Sequence, residues 1–344
     1  MVIRSKAPLR LGFAGGGTDI DTYYNIYDGY VLNATIDMYS YCILEPTNND
    51  KVIFNATDIE KQQEYEASSV LDISQALPLH SGIYNRIIAD YNNGKPLSFV
   101  MTTYSDAPAG SGLGSSSTLV VAILKAYTEW LNLPLGEYDI ASLAYKIERE
   151  DLHMAGGKQD QYAATFGGFN FMEFYRDEKV IVNPLRLKRW IRNELEASLV
   201  LYYTGVSRES ANIIKRQIEN TQNKNMKSIE GMHEMKKQAV LMKEFLLKGD
   251  FGGFSKCLLQ GWLAKKNLAD SISNSFLDGL FQYAMENGAE SAKISGAGGG
   301  GFMMLYCNPC NRINLIKALK QKEGTVFPAS FTEIGTQAWT IYNN

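Results

Sequence analysis

Proline is scarce in this chain, with 9 in 344 residues where average usage would give about 17. No Pro-rich or low-complexity tract interrupts it, which excludes a largely disordered chain, and its length suits about two folded domains. Cysteine is equally thin. Four thiols, two of them isolated, cannot build a disulfide framework, so a reducing, cytoplasmic home is expected. Cys307 and Cys310 have CxxC spacing, but no second Cys/His pair accompanies them, which argues against a zinc or redox centre. An excess of charge of one sign is also missing. With 34 Lys+Arg against 37 Asp+Glu, a net charge of −3 and no basic run, the chain lacks the footprint of a nucleic-acid or polybasic membrane binder. Its longest aliphatic run, 119–124, falls far short of the roughly 20 residues that cross a bilayer, and Arg4, Lys6 and Arg10 precede any hydrophobic stretch that could serve as a signal peptide. The only histidines, His80, His153 and His233, accompany no Ser or Cys nucleophile pattern. A hydrolase is not expected.

Glycine is what the chain has in excess, with 30 residues against about 24 for average usage. Sixteen of the 30 fall in four short stretches, 12–17, 110–114, 156–168 and 296–301. Local glycine without proline marks backbone that approaches something closely. Between these stretches, periodicity outlines the elements. Strand patterns rich in Val, Ile, Tyr and Phe run over 9–13, 30–44 (long enough to need a bend), 51–55 and 98–104. Helical patterns cover 117–130 and 140–151. Residues 169–185 read as a hairpin around Arg176-Asp177-Glu178, and 199–204 as a strand before one long helical region, 208–247. Two helices, a strand at 293–295, a glycine loop, a strand at 302–306, a helix at 312–322 and a last strand close the chain. The order implies an α+β protein in two parts, 1–185 and 186–344.

The most specific segment is Pro108-Ala109-Gly110-Ser111-Gly112-Leu113-Gly114-Ser115-Ser116-Ser117-Thr118, between a strand and an apolar helix. Alternate glycines let backbone N–H groups converge, the helix N-terminus adds a positive dipole end, and the serines offer hydroxyls to phosphate or Mg²⁺. These are the parts of a triphosphate cradle. No Lys follows the last glycine, so it is not a Walker A loop, and its spacing is not that of a dinucleotide fingerprint. Taken alone, the run could equally cap a helix with serine. A second segment, Ala7-Pro8-Leu9-Arg10-Leu11-Gly12-Phe13-Ala14-Gly15-Gly16-Gly17-Thr18-Asp19, sets a charged Arg in an apolar strand and ends in glycines and an acid. A buried Arg needs an anionic partner, and a carboxylate after a glycine turn accepts hydrogen bonds from sugar hydroxyls; a surface Arg on an edge strand is the plain alternative. A third segment, Lys293-Ile294-Ser295-Gly296-Ala297-Gly298-Gly299-Gly300-Gly301-Phe302, places four successive glycines where a hairpin needs one or two.

In this order and spacing the three segments resemble the GHMP small-molecule kinases over nearly the whole chain. Galactokinase-like members carry Gly-Glu-His-Thr-Asp in the first segment. Here Gly16 and Gly17 stand in place of Glu and His while Thr18 and Asp19 are kept, a variant similar to the branch of heptose 7-phosphate kinases and fucokinase-type sugar kinases. The resemblance implies an N-terminal domain like domain 2 of ribosomal protein S5, a ferredoxin-like C-terminal domain and an active site between them. It also singles out Glu148-Arg149-Glu150-Asp151, Gly156-Gly157-Lys158-Gln159-Asp160-Gln161 and Gly167-Gly168. Asp160 would face the substrate hydroxyl, with Arg10 as its catalytic cation. Glu148 and Ser116 would hold Mg²⁺, with Glu150 a rival of Glu148 that spacing does not separate. Residues 108–117 would bind ATP, and Gly17, Thr18, Asp19, Gly157, Gly298 and Gly299 would surround the sugar.

The activity implied is ATP-dependent phosphorylation at C1 of D-glycero-D-manno-heptose 7-phosphate, in the biosynthesis of a nucleotide-activated heptose. A kinase of a fucose- or mannose-type sugar, and a non-catalytic sugar and ATP sensor, are the alternatives. A phosphorylated substrate needs a cationic pocket, for which Lys6, Lys158 and Arg208 are the candidates. Small molecules are the expected partners, no nucleic acid or membrane is, and a homodimer is compatible with the sequence.

Overall fold

The computed structural model describes residues 1–206, 210–223 and 225–342. The first part of the chain runs β1 (Val2–Ala14), α1 (Asp21–Tyr27), β2 (Gly29–Pro46), β3 (Lys51–Ala56), β4 (Lys61–Glu66), α2 (Pro78–Tyr91), β5 (Phe99–Ser105), α3 (Ser115–Leu131), α4 (Glu137–Lys146), α5 (Gln159–Phe166), β6 (Phe169–Phe174) and β7 (Val180–Pro184). The second part runs α6 (Arg189–Ser198), β8 (Leu199–Tyr203), α7 (Ser210–Gln222), α8 (Met226–Lys248), α9 (Phe251–Lys266), α10 (Ser275–Glu286), β9 (Ala289–Ile294), β10 (Phe302–Cys307), α11 (Arg312–Leu319), β11 (Thr325–Pro328) and β12 (Gln337–Ile341).

Two sheets organise these elements. The larger has the order β12-β1-β2-β5-β3-β4, with β6 pairing with β2 and β7 with β6. The bend expected within 30–44 is how β2 serves two partners on that side: residues 29–34 pair with β6 and residues 40–46 with β5. The smaller sheet is antiparallel, in the order β11-β8-β10-β9. The last strand does not stay with the second part of the chain. β12 pairs with β1 from Val2↔Ile341 to Lys6↔Gln337, so the unit drawn as 186–344 loses its final strand to the first sheet. That strand covers an edge of β1 that would otherwise present unpaired backbone groups.

Pairing of β1 with β2 is interrupted between Pro8 and Arg10, and the interruption matters. Before it, Ile3 and Ala7 belong to the core beneath α3. After it, Leu9, Leu11 and Phe13 belong to a second core shared with Leu201, Phe254, Phe302 and Met304. An irregularity in a ladder re-aims the side chains that follow it. Here it commits the odd-numbered residues to the interface between the two sheets and frees Arg10 to face the other way. Each such apolar side chain contributes about 1.5–3 kcal/mol on full burial, so the shared core fastens the two sheets together behind the cleft.

The helical region read as one element over 208–247 is two helices. Asn225 interrupts it and caps α8, accepting a hydrogen bond from the Ser228 N–H at 3.2 Å. Sequence periodicity passed over α1, α2, β4, α5 and α6, and counted one closing strand where there are two. Among the described residues, no helix is long and apolar enough to cross a membrane.

Candidate active site

Four glycine loops meet at a cleft of about 550 Å³, through Gly12, Gly16 and Gly17, through Gly110, Gly112 and Gly114, through Gly156 and Gly157, and through Gly296. The central loop ends at Gly114, which precedes α3, so Ser115, Ser116 and Ser117 form the first turn of that helix with their N–H groups unclaimed by it. Ala109, Gly110, Gly112, Gly114 and these three serines line the cleft. The loop is fastened from behind by the third glycine segment. Ser295 Oγ donates to the Gly112 carbonyl at 3.0 Å, and Phe302 N–H donates to the Ser111 carbonyl at 2.9 Å. At Gly112, with φ +80°, a Cβ would lie 2.6 Å from the Ser295 carbonyl oxygen. Only glycine permits that closeness.

Arg10 reaches into the cleft from β1. It is 4% exposed, and both Nε and Nη2 lie 2.7 Å from Oδ1 of Asp160. Its Nη1 donates to the Gly112 carbonyl at 2.7 Å. Asp160 sits in the first turn of α5, opposite Gly114. One guanidinium thus ties the acidic residue to the anion-binding loop and fixes the distance between them.

Asp19 lies beside this pair, 2% exposed. Its carboxylate accepts from the N–H groups of Gly17 at 2.9 Å and Gln159 at 3.0 Å, and from the Gln159 amide at 3.1 Å. Burial raises its pKa above the usual carboxylate value, while the backbone hydrogen bonds from Gln159 and Gly17 oppose the rise. A Cβ on Gly157 would lie 2.0 Å from Asp19 Oδ2, so the 156–157 turn fits against that carboxylate.

The acidic residues after α4 are separated by the fold. At 147–151 the helix widens into a π turn, an irregularity common at functional sites. Glu148 points inward, 1% exposed, and lines the cleft, whereas Glu150 is exposed and does not. Ser116 Oγ donates to Glu148 Oε1 at 3.4 Å, and Gln161 bridges Glu148 Oε2 and Ser117 Oγ. A carboxylate and a hydroxyl that meet in this way could serve as two of the ligands of a magnesium ion, a cation that takes its remaining ligands from water and phosphate oxygens. Among the described residues, no group of three His, Cys, Asp or Glu side chains could hold a metal by itself.

Residues 78–168 match the GHMP kinases N terminal domain and residues 242–324 the GHMP kinases C terminal region. The chain is 52% identical to a D-glycero-alpha-D-manno-heptose 7-phosphate kinase of Campylobacter jejuni, covering 98% of this chain and 99% of that protein. The chain belongs to the GHMP kinase family. Among solved structures, a D-glycero-D-manno-heptose 1-phosphate kinase from Bacteroides thetaiotaomicron superposes with a TM-score of 0.85 at 47% identity, covering 99% of this chain and 100% of that one. Lactococcus lactis galactokinase complexed with galactose shares the fold, with a TM-score of 0.75 at 19% identity over 98% and 95% of the two chains. This GHMP kinase is a sugar kinase.

Several residues of the GHMP kinase stand elsewhere than its sequence suggested. Thr18 does not line the cleft. Its buried hydroxyl donates to the carbonyls of Gly15 and Tyr30 and accepts from Tyr30 N–H, holding the turn before Asp19 in shape. Gly298 and Gly299 do not line it either: Gly298 packs on Ile272, and Gly299 N–H donates to the Ile272 carbonyl at 2.8 Å. Pro108, Ser111 and Leu113 shape the cradle from outside, since Pro108 is exposed and Ser111 and Leu113 are fully buried behind the loop. Lys158 is 3% exposed and stands over the rings of Tyr24 and Tyr145, at 5.1 and 4.6 Å. Burial lowers its pKa, and its ammonium faces aromatic rings where a phosphate was expected. Lys6 lies over the Tyr39 ring at 4.1 Å, outside the cleft. Arg208 lies outside the described residues.

The cleft also contains residues that sequence reasoning missed. Ile214, Gln217 and Lys265 line it, as do Arg149 and Lys293, quoted earlier only as members of their segments and given no role. Lys293 Nζ donates to the Gly12 and Phe13 carbonyls at 2.8 and 2.9 Å, tying the smaller sheet to β1. Lys265 Nζ donates to the Gly296 carbonyl. Burial depresses the pKa of both amines, that of Lys265 to about 7 and that of Lys293 well below the usual lysine value. A single Lys or Gln within a helical pattern carries no signal that separates it from a solvated face.

Proposed function

We propose that this sugar kinase transfers the γ-phosphoryl group of ATP to the anomeric C1 hydroxyl of D-glycero-D-manno-heptose 7-phosphate. The product would be the 1,7-bisphosphate on the way to a nucleotide-activated heptose, made in the reducing cytoplasm. The observation that carries the reading is the Arg10–Asp160 pair, 2.7 Å apart, at the head of a cleft walled by glycine loops. The name of the Campylobacter jejuni relative supports the choice of sugar.

In this reading the backbone of 109–114 and the first turn of α3 hold the β- and γ-phosphates. Asp160 accepts the proton of the sugar hydroxyl as its oxygen bonds to the γ-phosphorus, and the bond from that phosphorus to the β–γ bridging oxygen breaks to release ADP. Arg10 lies against the reacting centre and offsets charge on the transferring group, since phosphoryl transfer is catalysed mainly by positioning and charge neutralisation. Glu148 and Ser116 would hold Mg²⁺, which neutralises phosphate charge when bound. Asp19, supported by Gln159, accepts hydrogen bonds from sugar hydroxyls. An anomeric hydroxyl is more acidic than an ordinary alcohol, so a carboxylate is a sufficient base.

The test is ADP release from wild type and Asp160→Asn, with ATP and a panel of heptose, heptose 1-phosphate, heptose 7-phosphate, fucose, mannose and mannose 6-phosphate. The expected result is preference for the 7-phosphate and a loss of roughly 10²–10⁴-fold in kcat for the variant. Near wild-type turnover by Asp160→Asn would remove its role. Preference for another sugar would replace the substrate.

A further inference from the structure

The phosphate-bearing end of the acceptor has no partner among the lysines named from sequence, because Lys158 and Lys6 face aromatic rings. The cleft offers other groups on the wall contributed by the second part of the chain. Gln217, on α7, is 3% exposed and lines the cleft, and its Nε2 has no hydrogen-bond partner among the described residues. Its Oε1 lies 3.9 Å from where a Cβ on Gly17 would stand, which puts the amide next to the Gly17–Asp19 turn. A buried amide end left unpaired costs stability, and its placement on a cleft wall points to a ligand that completes it. An amide presents a donor at one end and an acceptor at the other, so a hydroxyl, which both donates and accepts, satisfies either orientation.

Lys265, on α9, lines the same cleft and is 4% exposed. Its hydrogen bond to the Gly296 carbonyl engages one of three ammonium donors. The charges of Arg10 and Asp19 both act on it, so it stands within electrostatic reach of the reacting pair but on a different element. A buried lysine that faces a cleft gains most from an anion that enters with it, because the pair then shares the cost of leaving water.

We propose that Gln217 and Lys265 form the acceptor-recognition wall of the enzyme, Gln217 bonding a sugar hydroxyl and Lys265 a phosphate oxygen carried by the sugar. This inference rests on the reading of the substrate as a sugar phosphate and adds the residues that recognise it. Asp19 and Gln217 would grip the sugar from opposite elements, and Lys265 would select the phosphorylated form.

The experiment is steady-state kinetics of wild type, Gln217→Leu, Lys265→Met and Lys265→Arg, varying ATP, heptose 7-phosphate and the unphosphorylated heptose. The last is read as substrate or as competitive inhibitor. Gln217→Leu is expected to raise KM or the inhibition constant for both sugars about 10-fold and leave KM for ATP unchanged. Lys265→Met is expected to raise KM for the phosphorylated sugar about 10- to 100-fold with little change for the unphosphorylated one, and Lys265→Arg to recover part of the loss. Thermal denaturation of each variant reports whether it is folded. Equal loss for both sugars, or a larger effect on KM for ATP, overturns the role of Lys265. A sugar KM within twofold of wild type overturns that of Gln217. Wild type that prefers a different sugar phosphate overturns the substrate named above while the same measurements decide the wall on that substrate. Wild type that turns over no sugar phosphate overturns both.

Discussion

The two walls of the cleft are built by different means. The wall from the first part of the chain consists of contiguous loops whose glycines, serines and acids stand close together in sequence: 12–19, 109–117 and 148–160. The wall from the second part is mostly single side chains on separate elements, Ile214 and Gln217 on α7, Lys265 on α9 and Lys293 on β9, joined only by the short Gly296-Ala297 stretch between β9 and β10. Loops of the first kind surround a phosphate with backbone N–H groups, which needs a run of adjacent residues. The second kind supplies isolated charges and amides whose value depends on burial, and burial is a property of packing. In the reading proposed above, the first wall would serve phosphoryl transfer and the second the choice of acceptor.

Arg10→Met should break the comparison hardest. It removes the group that joins Asp160 to the Gly112 carbonyl and leaves the Asp160 carboxylate without its guanidinium, while Ser295 Oγ still donates to that carbonyl. We expect kcat to fall about 10³-fold or more, read by ADP release under saturating ATP and sugar. Glu148→Gln should follow, with a fall of about 10²-fold and a raised requirement for magnesium. Glu150→Gln should stay within about twofold of wild type, because that side chain is exposed outside the cleft. Equal effects of the two substitutions in a magnesium titration would show that the π turn does not separate them.

Gly112→Ala tests whether the second part of the chain supports the first wall. A Cβ there meets the Ser295 carbonyl at 2.6 Å and forces a left-handed backbone on alanine. The expected loss is about 1–3 kcal/mol in urea denaturation, with a raised KM for ATP as the cradle is pushed from its backing.

A pH dependence acts on stability alone. Lys265 has a folded pKa of about 7 against an ordinary value of 10.5, so between these values the unfolded chain binds a proton that the ligand-free folded protein does not. Stability from this group therefore rises as pH climbs from about 7 towards 10.5, and the cost of burying it is complete below 7. Lys265→Met, which removes that cost, should gain most in Tm over wild type at pH 6, with the gap narrowing by pH 9. A gap that is constant with pH would mean that the amine is not held neutral.

Particular residues show how far the sequence could be read. The glycine loops were legible because their glycines stand in succession, β5 because alternation and β-branched residues are local properties, and β10 because a short apolar run between a glycine loop and Asn308-Pro309 is local too. Asp160 was reached only through resemblance, since α5 is short, its N-cap Lys158 makes no side-chain capping bond, and its preceding glycines hide its start. Lys158 was misjudged because a charged residue beside a glycine turn looks the same in sequence whether it meets a phosphate or two tyrosine rings. Thr18 was misjudged because the carbonyls that claim its hydroxyl lie on both sides of it along the chain, and one of them, at Tyr30, is 12 residues away.

By itself, then, the sequence determined the family, the two-part α+β organisation and the glycine-rich stretches that come to line the cleft, because those depend on residues adjacent in the chain. Tertiary structure alone decided that Glu148 and not Glu150 faces the cleft, that β12 returns to the first sheet, and that Gln217 and Lys265 close the far wall. These depend on which way a side chain points and what covers it, and no spacing along a single chain records the packing of helices 100 residues apart.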